Sequence, residues 1–155
     1  MINKAKIVEI KINNKNLRYK ISNTFIKHLI GKKILKTSRR SKYLIFFFKK
    51  KLLLIHLGMS GKLLLRRIED NKTFKTSFYY DLDTLENHNH IYFKLNNGLA
   101  LVHNDVRRFG FFKLYNTTQL KKTLKGSGPS FFKKAISFCS KFSYNLKNPN
   151  LLTSL

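Results

Sequence analysis

The stretch Tyr43–Arg67, YLIFFFKKKLLLIHLGMSGKLLLRR, decides the fold. It contains three short runs of Leu, Ile, Phe and Tyr, separated by Lys49–Lys51 and by a turn that holds two glycines. Short apolar runs that are bounded by turn signals are typical of buried β-strands. The sequence therefore predicts strands near residues 43–48, 52–57 and 62–67, joined by tight turns.

The rest of the chain continues this β-rich pattern. Asn96-Asn97-Gly98 lies between two apolar runs and predicts a hairpin turn. A short helix is expected over residues 25–30, capped by Ser22 or Asn23 and ended by Gly31. Further strands are predicted at 6–12, 17–21, 34–37, 90–95, 99–103 and 111–115, a corner at 39–42, a long loop at 69–89, and helices at 118–125 and from Phe131 onward. The expected fold class is mainly β, a two-sheet antiparallel β-sandwich with a few flanking helices.

The composition favours a polyanionic partner. The net charge is +25, from 32 Lys and Arg against 7 Asp and Glu. Nucleic acid is therefore the first expected partner, and an anionic membrane surface is the second. Abundant Lys, Asn, Ile and Phe are also expected of an AT-rich genome, so the arginines are more informative than the lysines. Six of the seven arginines form adjacent pairs, a pattern that we interpret as phosphate contacts: Arg39-Arg40, Arg66-Arg67 and Arg107-Arg108.

The compartment is expected to be reducing and cytoplasmic. Cys139 is the only cysteine, so neither a disulfide framework nor a multi-cysteine zinc site can form within the chain. Residues 1–12 alternate polar and apolar side chains and do not resemble a signal peptide. The apolar region Tyr43–Leu57 is broken by lysines and is too short to span a bilayer, which needs ~20 apolar residues.

Two glycine-punctuated loops, His56–Gly61 (HLGMSG) and Asp105–Gly110 (DVRRFG), carry the functional signal. Glycine tolerates the abrupt turns that make a neighbouring side chain project from the fold. Projecting Met, Arg and Phe side chains suit a protein that pushes into stacked bases and fills the opened space. Taken alone, either loop is better interpreted as the tip of an ordinary β-hairpin; together, on this basic chain, the two favour the functional interpretation.

These loops, their order and their spacing resemble the bacterial formamidopyrimidine-DNA glycosylase family, which includes the endonuclease VIII-type enzymes. The resemblance extends through RRSKYL (39–44), His88-Asn89-His90 and Asn97-Gly98. It covers about Lys6 to Pro129 and implies the two-sheet β-sandwich of the family's N-terminal domain. On this basis residues 1–129 are expected to form that domain, and residues 130–155 a C-terminal helix with a truncated linker.

The resemblance also implies roles for individual residues. Met59 would occupy the space left by an everted nucleotide, Arg107 would hydrogen-bond the orphaned base, and Phe109 would act as a wedge beside it. Lys42 would lie close to the phosphate that flanks the lesion, although on its own it could be a solvated lysine. The remaining DNA-binding candidates are His56 and His88, which could instead be structural residues, Arg108, which could instead form a salt bridge to Asp105, and Arg39 and Arg40.

The departures from the family matter for activity. The family's mature chains begin with a proline, which attacks the sugar C1′, followed by a glutamate; this sequence opens Met1-Ile2-Asn3. The family's C-terminal DNA clamp and four-cysteine zinc finger have no counterpart either, so no cofactor is expected. His88 and His90 could suggest a metal, but no third ligand accompanies them.

The expected function is recognition of oxidatively damaged DNA in base-excision repair. By resemblance, the enzymatic form releases oxidised purines and then cleaves the strand as an AP lyase. Lys42 is the candidate amine, because neighbouring positive charges make a lysine more nucleophilic. The alternatives are a non-catalytic binder of abasic or distorted DNA, an inactive fragment of the enzyme, and a small RNA-binding protein. Double-stranded DNA is the expected partner, bound by a monomer whose missing part another chain could supply.

Overall fold

Two four-stranded antiparallel sheets make up the fold, in a computed structural model that describes residues 2–40, 42–74 and 84–116. The first sheet has the order β1-β6-β7-β5 and the second the order β2-β3-β4-β8. The mainly β, two-sheet prediction is confirmed. The strands are β1 Ile7–Ile12, β2 Lys36–Arg40, β3 Tyr43–Phe47, β4 Lys51–His56, β5 Lys62–Arg67, β6 Asn89–Leu95, β7 Leu99–Asn104 and β8 Phe111–Asn116; the helices are α1 Phe25–Leu29 and a 3-10 turn, Glu86–His88.

The main core lies between the two sheets. Alternate side chains of each strand point inward, so Phe46, Leu53 and Phe112 of the second sheet meet Ile91 and Phe93 of the first. Strands β3 and β4 are buried on both faces, and this explains why they consist of continuous apolar runs rather than alternating ones. A second buried cluster lies on the opposite face of the second sheet: Tyr43, Ile45, Phe47, Leu52, Leu54 and Phe111.

Strands β6 and β7 form the central hairpin of the first sheet. Its turn contains Gly98, whose φ of +77° is in the left-handed region that favours glycine. We call this the hairpin end of the sandwich. At the other end β4 runs into β5 through residues 57–61, the first loop, and β7 runs into β8 through residues 105–110, the second loop. We call this the loop end.

The predictions for the first forty residues need three corrections. Residues 17–21 form no strand; a single bridge joins Asn16 to Lys20, because this segment turns back on itself and has no ladder partner. The second strand occupies Lys36–Arg40 rather than 34–37, so Arg39 and Arg40 lie in a strand and not in a corner. The N-cap of α1 is Thr24, not Ser22 or Asn23, and it makes no side-chain capping bond.

The predicted helices at 118–125 and from Phe131 onward, and the domain boundary at 129, lie outside the described residues. Within the residues that are described, no helix has the length and apolar character needed to cross a membrane.

Candidate nucleic-acid interface

The two loops lie side by side because of how the strands pair. The first loop leads from the second sheet to the first, and the second loop leads back from the first to the second. Strand β4 pairs with β8 and β5 pairs with β7, with His56 opposite Phe111 and Lys62 opposite Asn104. Both ends of both loops are therefore held at neighbouring positions, and the loops cross the loop end together.

Glycines allow the two loops to touch through their backbones. Gly58 has a φ of +67°, and a Cβ placed there would lie 2.8 Å from the carbonyl carbon of Phe109 and 2.9 Å from the nitrogen of Gly110. Gly61 donates its N–H to the carbonyl of Leu57 at 3.0 Å, and a Cβ on Gly61 would collide with that same oxygen. A larger residue at Gly58 would force the loops apart, and one at Gly61 would disrupt the turn within the first loop.

Asp105 joins the loops through its side chain. Its carboxylate is fully buried and accepts a hydrogen bond from the Ser60 hydroxyl, with 2.6 Å between the two oxygens. This bond links the second loop to the first. The same carboxylate accepts the backbone N–H of Gly110 at 2.8 Å and of Arg107 at 3.3 Å. Hydrogen bonds to an ionised carboxylate are stronger than those between neutral groups, so this network holds both loops in one conformation.

The structure brings Met59, Arg107 and Phe109 together on the outer surface of the loop pair. Met59 is 70% exposed and Phe109 is 43% exposed, so both large apolar side chains are accessible at the surface. The Arg107 guanidinium lies between them, 4.5 Å from the centre of the Phe109 ring and 3.9 Å from the Met59 sulfur to the nearest guanidinium nitrogen. Three side chains of the predicted types therefore form one projecting cluster, which we call the probe.

A row of residues crosses the second sheet and includes His56, which directly precedes the first loop. Arg40, Tyr43, His56 and Phe111 occupy neighbouring positions on the four strands. The His56 ring lies 4.5 Å from that of Tyr43 and stacks on Phe111 at 5.2 Å. The backbone of Arg40 is placed by the strand, whereas its side chain lies outside what the structure describes.

His56 presents a neutral imidazole at this surface. Burial, followed by the positive charges of Arg18 and Lys42, lowers the pKa of its side chain below the ordinary value of 6.5. Its Nδ1 accepts the N–H of Gly58 at 3.1 Å, so the proton of the neutral ring is on Nε2. A ring held in this way can donate one hydrogen bond to an anion.

Lys42 and Arg18 supply the positive charge around His56. Lys42 is exposed in the turn between β2 and β3, and its carbonyl accepts the N–H of Leu57 at 3.1 Å. Arg18 was not a sequence-based candidate. Its N–H donates to the carbonyl of Gly110 at 3.2 Å, and its guanidinium lies 5.9 Å from the Tyr19 ring centre. Arg18 is the one arginine with no other arginine beside it in the sequence, so a search for adjacent arginine pairs misses it.

The other candidates, His88, Arg108 and Arg39, lie on three different elements of the fold. His88 ends the 3-10 turn, half-buried, and its carbonyl accepts the N–H of Asp105 at 3.0 Å, which places it beside the second loop. Arg108 is exposed, and its contact with Asp105 is a backbone hydrogen bond of 3.3 Å to the carbonyl. Arg39 is exposed on β2, at the edge of the second sheet.

The Arg66-Arg67 pair does not fit the phosphate-contact interpretation. The register places these residues opposite Ala100 and Leu99, beside the hairpin turn. Arg66 forms an ion pair with Glu86 at 3.6 Å, and Arg67 forms one with Asp70 at 3.3 Å. Both arginines therefore make intramolecular ion pairs, and that of Arg67 lies at the hairpin end.

His88 and His90 occupy different elements of the fold. Only His90 lies in β6, whereas His88 ends the 3-10 turn, so the two do not share a strand face. His90 is buried, and its Nε2 bonds the carbonyl of Asp105 at 2.7 Å. Over residues 2–40, 42–74 and 84–116, no three His, Cys, Asp or Glu side chains cluster in a way that could hold a metal ion.

Comparison with known proteins places this geometry in a family. Residues 1–112 match the model of the formamidopyrimidine-DNA glycosylase N-terminal domain. The formamidopyrimidine-DNA glycosylase of Bartonella tribocorum is 40% identical over 127 residues, which cover 79% of this chain and 42% of that protein. The enzyme of Streptococcus agalactiae is 41% identical over 111 residues, covering 69% of this chain and 35% of that protein.

A solved structure shows the same fold. It is a complex of the Lactococcus lactis Fpg with DNA that contains an abasic site, and it superposes with a TM-score of 0.62 at 30% identity. The match covers 79% of this chain and 41% of that one. The chain spans about two fifths of the length of the curated relatives it matches. By sequence and by fold, the chain belongs to the formamidopyrimidine-DNA glycosylase family, of which it matches the N-terminal domain.

Proposed function

We propose that this chain recognises damaged double-stranded DNA, at oxidised or abasic sites, by inserting the probe into the base stack. The observation that carries the proposal is the convergence of Met59, Arg107 and Phe109 on two loops that are locked to each other. Family membership supports it, as does the abasic DNA bound to the structurally similar Lactococcus lactis Fpg.

Each probe residue has a chemistry that suits one part of insertion. Methionine is unbranched and apolar and can fill an irregular gap, so Met59 would occupy the space of an everted nucleotide. The planar donors of Arg107 would bond the base left without a partner, and the Phe109 ring would stack beside it. Eversion costs a few kcal/mol of lost stacking, and filling the gap offsets that cost.

The cationic surface beside the probe would hold the DNA backbone. His56, Lys42 and Arg18 surround one location and together offer neutral and charged donors to a phosphate. Arg39, Arg40, His88 and Arg108 are further candidates around it. Phosphate contacts would set the position of the chain on the duplex and make its affinity for DNA depend on salt. The probe would distinguish a damaged site from an intact duplex.

Binding to matched duplexes tests recognition. The chain should bind a duplex with a central tetrahydrofuran abasic analogue more tightly than the same duplex intact. Met59→Ala, Arg107→Ala and Phe109→Ala should each reduce that preference. Leu85→Ala and Arg67→Ala are matched controls, since each removes an exposed side chain of similar type outside the probe. Equal affinity of the wild-type chain for both duplexes would leave only general polyanion binding.

A second candidate function is AP-lyase chemistry with Lys42 as the amine. Lys42 is exposed beside the proposed phosphate site, and cationic neighbours favour a nucleophilic lysine. Its nitrogen would form a bond to the sugar C1′, the ring oxygen would leave C1′ as a hydroxyl, and loss of water would give a Schiff base. Loss of the C2′ proton would then expel the 3′-phosphate. Glycosylase action on oxidised purines would begin with the same attack, with the base as the leaving group.

Borohydride trapping tests this chemistry. Reduction of the Schiff base should give a covalent protein–DNA adduct on an abasic duplex, and Lys42→Ala should remove it while Lys36→Ala should not. If wild-type chain in excess forms no adduct, it is a binder of abasic or distorted DNA without chemistry of its own. We also propose that it works in the cytoplasm as a monomer, completed for catalysis by another chain.

A further inference from the structure

We propose that Ser60 and Asp105 are positioning residues that couple the two loops, so that Met59 and Arg107 enter DNA as one unit. This inference rests on the proposed function and adds to it. It assigns the discrimination between damaged and intact DNA partly to two side chains that are not themselves in the probe.

The Ser60 hydroxyl lies at the centre of the coupling. It donates to Asp105 Oδ1 at 2.6 Å and accepts the backbone N–H of Arg107 at 3.3 Å. Ser60 directly follows Met59 in the chain. One hydroxyl group therefore connects the backbone that carries the methionine to the backbone that carries the arginine.

Asp105 connects this pair to the first sheet. Its backbone N–H donates to the carbonyl of His88 at 3.0 Å, and its own carbonyl bonds Nε2 of His90 at 2.7 Å. Because the N–H and the carbonyl of Asp105 are both hydrogen-bonded, its buried carboxylate has little freedom to follow a displaced loop. Movement of either loop must break hydrogen bonds to a buried charge, which is costly.

This arrangement predicts an effect on discrimination rather than on affinity for DNA in general. Phosphate contacts come from Lys42, His56 and Arg18, none of which bonds to Ser60. If the coupling is lost, the cationic surface still attracts DNA, but the probe residues enter independently and fill the gap less well. A residue needed only for folding would instead weaken binding to all duplexes together.

The experiment uses the full chain and the two matched duplexes, abasic and intact. Ser60→Ala removes the coupling hydroxyl, and Ser60→Thr restores one. Asp105→Asn keeps the size of the side chain but turns an acceptor into a donor facing an N–H group. Asp70→Asn is the charge-matched control, because it removes one acid from the Arg67 ion pair at the hairpin end. Thermal unfolding of each variant shows whether it is folded.

We expect the ratio of the two dissociation constants to fall about tenfold in Ser60→Ala, the effect typical of losing a hydrogen bond to a charged group. Ser60→Thr should recover most of the ratio, and the slope of log affinity against log salt should stay unchanged, since the phosphate contacts remain. In a Met59→Ala background, Ser60→Ala should add much less, because coupled positions are non-additive.

The outcomes separate the two proposals. A folded Ser60→Ala chain that keeps the wild-type ratio overturns the coupling and leaves the proposed function in place. Additive effects of Met59→Ala and Ser60→Ala also overturn it, and this readout does not depend on whether Asp105→Asn folds. If the wild-type chain itself shows no preference for the abasic duplex, both proposals fail.

Discussion

The hairpin end and the loop end of the sandwich differ, although each contains a glycine with positive φ. At the hairpin end, a Cβ added to Gly98 would meet no atom within 4 Å. At the loop end, a Cβ added to Gly58 would lie 2.8 Å from the backbone of Phe109. Gly98 is needed for its backbone angle alone, whereas Gly58 is needed for its angle and for the contact between two loops.

The ends also differ in what they bury. The four buried polar residues of the described segments all lie at the loop end, while the hairpin end buries Phe93, Leu95 and Leu99. Burying a polar group costs free energy unless hydrogen bonds compensate. The difference indicates that the loop end sacrifices some stability for a defined loop geometry, as functional sites commonly do. The four residues are His90, His103, Asn104 and Asp105.

The largest effect is expected from a substitution at Gly58. Gly58→Ala should reduce the free energy of unfolding by about 3 kcal/mol or more, because it combines a left-handed backbone with a backbone collision. It should also abolish the preference for abasic DNA. Urea unfolding and duplex binding would measure the two effects. A loss of stability equal to that of Gly98→Ala would mean that the loops do not touch as described.

The next effect is expected at His103, one of the buried polar residues of the loop end. His103 is fully buried beneath the loops, and within the described residues neither of its ring nitrogens has a hydrogen-bond partner. Burial lowers the pKa of His103 from 6.5 to about 4, while the charge of Asp105 opposes this and His90 adds to it. The neutral ring is thus favoured in the folded state, and protons bind more readily to the unfolded chain.

The unfolding free energy should therefore fall as the pH drops from about 6.5 towards 4, by roughly 3 kcal/mol in total from this residue. Well above pH 6.5 the free energy of unfolding should not depend on the titration of His103, because the ring is then neutral in both the folded and the unfolded state. Urea titrations between pH 7 and 5, above the range where carboxylates dominate, would show the slope. His103→Phe should reduce this slope and leave the part that comes from His56, whose pKa burial also lowers. An unchanged slope in His103→Phe would contradict the assignment.

The smallest effect is expected at the hairpin end. Gly98→Ala should cost about 1–2 kcal/mol, the strain of a left-handed alanine, and should leave the discrimination between duplexes intact. Gly98→Asn should cost less, because asparagine tolerates this conformation. Thermal unfolding and binding of the two variants would test both statements. Loss of discrimination in either would show that the ends are not independent.

The sequence predicted those parts of the fold that depend on local pattern. The runs in Tyr43–Arg67 and the Asn97-Gly98 turn became strands and a hairpin at the expected places. Residues 17–21 had a similar pattern but no strand to pair with, and pairing is not a local property. The probe residues were predicted by their motifs, and their contact follows from strand pairing across the two sheets.

Other parts of the site could not be predicted for the same reason. Arg18 reaches the site through a turn that brings it to the carbonyl of Gly110. His103 and Asp105 are buried because two loops close over the end of the first sheet, and nothing in their flanking residues indicates it. Conversely, the sequence of Arg66-Arg67 suggests phosphate contacts, but in the fold the two side chains form ion pairs with Glu86 and Asp70.

The arginine doublet at the edge of the second sheet has a consequence for solubility. Arg39 and Arg40 lie in β2, an edge strand in the described part of that sheet, whereas Arg66 and Arg67 are paired with Glu86 and Asp70. Exposed edges can pair with those of another molecule, and like charges along them prevent this. Concentrated salt screens such repulsion. Concentrated salt should therefore bring this chain closer to edge-to-edge association through β2.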